Sequence, residues 1–156
     1  MPDISDQQFN TSAAEAIDSL PDTYIDNMKN VVVVVEDDPS VEQRTKLHLV
    51  EGVTLYGLYE GIPLTARGAG YNLVLPDKIT IFKNPILSGV TSIDELKEQI
   101  KRTVWHEIAH HYGLGHDRIH ELEHKSSSIN TILFSCLERA LLGSSPWYVL
   151  TAIQIA

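Results

Sequence analysis

His106, Glu107, His110, Gly113 and His116 fall within the stretch VWHEIAHHYGLGHD, residues 104–117, and their types and spacing suit a metal ion. On a helix, residues four apart stand one turn above each other, so His106 and His110 can present two imidazole nitrogens to one cation. Glu107 is rotated by about 100° from His106, beside such an ion rather than on it, which is where a general base for an activated water should stand. Gly113 can take a left-handed conformation and turn the chain, bringing His116 back as a third ligand. Three protein ligands leave one position for water, the arrangement of catalytic rather than structural zinc. The whole pattern, H-E-x-x-H-x-x-G-x-x-H, is far more restrictive than its first five positions alone.

These residues need a helix to carry them, and TSIDELKEQIKRTVWHEIAHHYG predicts one. Ser92 and Glu95 stand at capping-box spacing and Gly113 is a natural C-terminal stop. Ile93, Leu96, Ile100, Val104 and Ile108 form its core stripe. His106 and His110 point away from that stripe. His111 returns to it, which makes it a core or supporting histidine. A helix through Phe9, Ala13, Ala16, Ile17 and Leu20 and a second short one precede the run Val31–Val35, whose branched side chains suit a strand covered on both faces. Asp38, Pro39 and Ser40 end that strand and start a short helix. VTLYGLYEGIPL reads as a second strand, LTARGAGYNLVLPDK as a loop, and KITIFKNP as a third strand closed by Asn84 and Pro85. DRIHELEHK reads as a final charged helix carrying His120 and His124. The expected fold class is α+β, a small, mostly three-stranded sheet packed on the long zinc-binding helix.

A length of 156 residues fits one domain that can bury a core without a structural metal. With 21 acidic against 12 basic residues the formal charge is −9, which argues against nucleic acid and anionic lipid as partners. The single cysteine, Cys136, excludes an internal disulfide and a Cys-rich zinc finger. MPDISDQQFN has neither the basic region nor the apolar run of a secretory signal, so a reducing cytoplasm is the expected compartment. Residues 126–156 are uncharged apart from Glu138 and Arg139, and neither apolar run there reaches the roughly 20 residues of a membrane span. The expected organisation is a catalytic domain over residues 1–125 and an apolar tail over 126–156.

Through LPDTYIDNMKNVVVVVEDDPS, LYGLYEGIPLTARG, LPDKITIFKNPIL and DELKEQIKRTVWHEIAHHYGL, residues 15 to 125 resemble the small bacterial zincin-like metallopeptidases, or minimal zincins. The resemblance implies a compact α+β fold in which the strand ITIF borders a cleft over the motif helix, with zinc on His106, His110 and a third residue beyond Gly113. Many members carry Asp at that third position. Here His116 is followed by Asp117, so His116 is preferred by spacing and Asp117 is the alternative. The chain is similar to the metzincins in the eleven-residue motif alone, because those proteases carry a methionine turn downstream whereas Met1 and Met28 here both precede the motif.

The expected activity is therefore hydrolysis of a peptide or protein substrate through a zinc-activated water, with Glu107 as general base. Tyr112, Tyr71 and His120 are candidates for stabilising the tetrahedral oxyanion. A peptide could add to ITIF if that strand lies at a sheet edge. The competing expectation is a zinc-containing peptide-binding module with little turnover, which would have no need of Glu107.

Overall fold

The computed structural model describes residues 4–26, 28–68 and 75–125; Tyr71 and the apolar stretch 126–156 lie outside them. The architecture is α+β, a three-stranded mixed sheet with helices packed on it. Helix α1 (Asp6–Asp18) begins at Ser5, whose side chain accepts from Gln8 N–H while Gln8 reaches back to Ser5 N–H. A short α2 (Asp22–Ile25) leads to strand β1 (Val31–Glu36), and Ser40 and Gln43 repeat the same reciprocal cap at the start of α3 (Val41–Lys46). Strand β2 (Gly57–Glu60), a single 3-10 turn (Leu64–Ala66) and strand β3 (Asp77–Phe82) follow. Then come α4 (Lys83–Ser88), the long α5 (Ile93–His111) and α6 (His116–Lys125). Among the described residues no helix is long and apolar enough to cross a membrane.

The sheet order is β1-β3-β2, with β1 parallel and β2 antiparallel to β3. Two readings of the sequence are decided by the sheet. Both sides of the ITIF strand are paired, so the condition for a peptide to add to it is not met; among the described residues β2 is the edge strand on the side of the motif. Among the described residues the valine run is not covered on both faces, contrary to the expectation. Among those residues β1 is the other edge, where Val31, Val33 and Val35 pack on the core while Val32 remains 44% exposed. Asn84 and Pro85 do end β3, but they do so inside α4, where Pro85 is tolerated because first-turn N–H groups have no helical partner.

In α5, Ser92 accepts from Glu95 N–H, whereas the Glu95 carboxylate turns to Thr91 N–H and Oγ1. Leu96, Ile100, Val104 and Ile108 are buried as the stripe requires, against Phe9, Ala13 and Ala16 of α1. Ile93, in the first turn, is instead 55% exposed. From Thr103 to Tyr112 every residue is buried, so the second half of α5 is enclosed on all sides. The buried Leu96, Ile100, Val104 and Ile108 each contribute roughly 1.5 to 3 kcal/mol, which makes the helix a rigid support for any group it carries.

Candidate metal centre

The motif helix ends by design of its own backbone. Gly113, at φ +88°, donates its N–H to His110 O and the next N–H, of Leu114, bonds to Ala109 O, the paired bonds of a Schellman ending. The chain reverses there, and Gly115 O accepts from Arg118 and Ile119 N–H to start α6 at His116. Thr65 occupies the place where a side chain at Gly113 would stand, with its Cγ2 2.9 Å and its Cβ 3.0 Å from a Cβ built there. Glycine is therefore required twice, for the left-handed turn and for the close approach.

The reversal brings His106, His110 and His116 together. One ligating nitrogen from each lies within 4.8 Å of the other two, and the ring centroids are 4.8 Å apart for His106–His110, 4.7 Å for His110–His116 and 5.5 Å for His106–His116. His110 Nδ1 donates to Leu114 O at 2.8 Å, so the turn that returns His116 also fixes the ring of His110 and leaves its Nε2 as the lone-pair nitrogen. Burial and then the neighbouring His106 push the His110 pKa down to about 3, against the opposing pull of the Leu114 carbonyl. The ring is thus neutral, as a metal ligand must be.

Glu107 is fully buried, and burial raises its pKa well above the ordinary carboxylate range; the nearby Tyr59 N–H opposes this only weakly. Among the described residues no well-formed hydrogen bond reaches either Glu107 oxygen or His110 Nε2, and all three atoms are buried. Such groups cost about 1 to 3 kcal/mol each unless something charged or polar satisfies them. A divalent cation fits that requirement, since three imidazole nitrogens are a donor set zinc accepts and a carboxylate beside them would balance its charge. Beside such a cation Glu107 would be returned to its ionised form.

The remaining candidate residues are dispersed. Asp117 is exposed in the first turn of α6 and is absent from the cluster. His120 is exposed one turn further on, its ring stacked on His116 at 6.2 Å and 6.3 Å from His106. Tyr112 turns into the core, its hydroxyl donating to Tyr24 O at 3.1 Å and its ring packed edge-on against Tyr24. His111 is fully buried, with Nδ1 3.3 Å from Asp77 Oδ2 and 3.4 Å from Tyr59 Oη.

One residue next to Glu107 escapes motif reading. A Cβ built on Gly57 of β2 would lie 2.7 Å from Thr103 Cγ2 and 2.9 Å from Glu107 Oε1, so the bare Cα lets β2 press its main chain onto Glu107. A glycine inside a strand pattern, LYGLYE, is the signal for such an approach.

Against known proteins, a family model described as zincin-like metallopeptidase matches residues 28–126, which include the whole sheet, α5 and all three clustered histidines. None of the curated proteins matches the chain.

Proposed function

Because the chain belongs to the zincin-like metallopeptidase family, we propose that it is a zinc-dependent peptidase in which His106, His110 and His116 hold the ion and Glu107 is the general base. The observation that carries this reading is the convergence of three imidazoles beside a buried carboxylate whose oxygens form no well-formed hydrogen bond among the described residues. A site that only bound a metal or a peptide would have no need of a base in that position.

Zinc, when bound, supplies Lewis-acid polarisation of a peptide carbonyl and of an attacking water. Glu107 takes the proton of that water on a carboxylate oxygen and passes it to the leaving nitrogen. The main chain of β2 orients the substrate. Phe82 N–H donates to Tyr56 O, so Leu58 and Glu60 also face β3, whereas the main-chain groups of Gly57 and Tyr59 face the side of β2 that pairs with no other strand among the described residues. An extended peptide pairing with that edge passes over Glu107, which lies against Gly57. His120 is the candidate donor to the developing oxyanion, being exposed beside the histidine cluster.

The test is digestion of a mixed-sequence peptide library by the zinc-loaded protein, the chelator-treated protein and Glu107→Gln. Cleavage that depends on zinc and falls by about 10²-fold or more in the variant supports the reading. Equal cleavage by all three refutes it.

A further inference from the structure

A buried charged cluster stands behind the edge strand. Asp77, 3% exposed at the start of β3, accepts from Tyr59 Oη at 2.6 Å and pairs with the largely buried Arg67 guanidinium. Its other oxygen takes the Ile62 N–H at 3.4 Å, while Arg67 Nε donates to Ile62 O at 2.9 Å. His111 of α5, the residue after His110, closes the cluster on the helix side. The same segment is seated at three glycine contacts: Gly57 on Thr103 and Glu107, Gly61 on Asp77, where a Cβ would come within 2.7 Å of the Asp77 Cβ, and Thr65 on Gly113.

We propose that Asp77 and Arg67 are positioning residues that clamp the stretch from Gly57 to Arg67 against the second half of α5, fixing the wall of the cleft that holds Glu107 and the β2 edge in register. The inference rests on the peptidase reading of the site for its functional meaning, and on the cluster alone for its physical one. A buried ion pair adds little stability over an apolar contact of the same size, but it is directional. An apolar staple would let the segment slide; an acid that takes Tyr59, Ile62 and Arg67 at once does not. Asp77 is reached by residues on both sides of the Gly61 turn, so one side chain determines how β2 leaves the sheet and how the following turn meets Gly113.

Hydrogen exchange of the zinc-loaded full chain separates a clamp from a general contribution to folding. Asp77→Asn and Arg67→Lys should accelerate exchange in peptides covering 57–67 by about tenfold or more, leave 6–18 and 93–111 protected, and keep zinc at wild-type stoichiometry. Turnover of the peptide library should fall in parallel. Tyr59→Phe, which removes only one hydroxyl from Asp77, should show the same local pattern more weakly, and it decides the matter if Asp77→Asn does not fold. Acceleration spread evenly over α1 and α5, or no change in 57–67, overturns the clamp. A wild-type protein with the local exchange response but no zinc-dependent cleavage would leave the clamp standing and refute the peptidase reading instead.

Discussion

Replacing Gly113 by alanine tests how the turn builds the histidine cluster. At φ +88° an L-residue gives up about 1 to 2 kcal/mol of backbone energy, and the added methyl enters space already held by Thr65. Overpacking of that kind costs a further 1 to 3 kcal/mol or so, giving about 2 to 5 kcal/mol in all. Denaturant unfolding of the metal-free protein measures the loss directly. Thr65→Ala removes the hydroxyl and Cγ2 but keeps the Cβ that lies 3.0 Å away, so Gly113→Ala/Thr65→Ala should recover part of the packing cost and none of the backbone cost. Zinc affinity should fall in Gly113→Ala, because the same turn returns His116 and seats His110 on Leu114 O. A loss below about 0.5 kcal/mol, the scale of an ordinary surface change, would refute the requirement for glycine.

Three other outcomes follow from the geometry. Gly57→Ala should keep zinc but lower hydrolysis by about 10²-fold, since a Cβ 2.9 Å from Glu107 Oε1 displaces the base on the ångström scale; wild-type turnover would contradict this. His116→Ala should weaken zinc binding more than Asp117→Ala, as read by competition with a chelating dye, and the reverse order would make Asp117 the third ligand. With its folded pKa depressed to about 3, His110 stays neutral while the unfolded chain takes up a proton below roughly pH 6.5. Metal-free stability should therefore be lost as pH falls from there toward 3, at about 1.4 kcal/mol per pH unit for this group, and His110→Gln should remove that share; an unchanged slope would reject the assignment.

The parts of the site legible in the sequence are those set by local geometry. The i, i+4 histidines, the offset glutamate and the glycine stop all concern a single helix and its ending, so spacing alone is informative. The sheet order is different in kind, since nothing local to KITIF tells a strand with two partners from one with a single partner. The valine run is uniformly apolar because it packs one face on the core, yet the same run would suit a strand buried on both. Tyr112 illustrates the same limit, for its hydroxyl is taken by Tyr24 O, a partner far away in the chain. Asp77 and Arg67 sit in a stretch whose polar residues read as loop, and only the fold brings them under β2.

The most direct measurement is the metal content of protein purified without added zinc, then equilibrated with it and freed of excess, for wild type, Glu107→Gln, His106→Ala and His110→Ala. Stoichiometric zinc in wild type and Glu107→Gln, with most of it lost from both histidine variants, is the predicted result. Stoichiometric zinc retained by both His106→Ala and His110→Ala would place the ion elsewhere and contradict the assignment of the site.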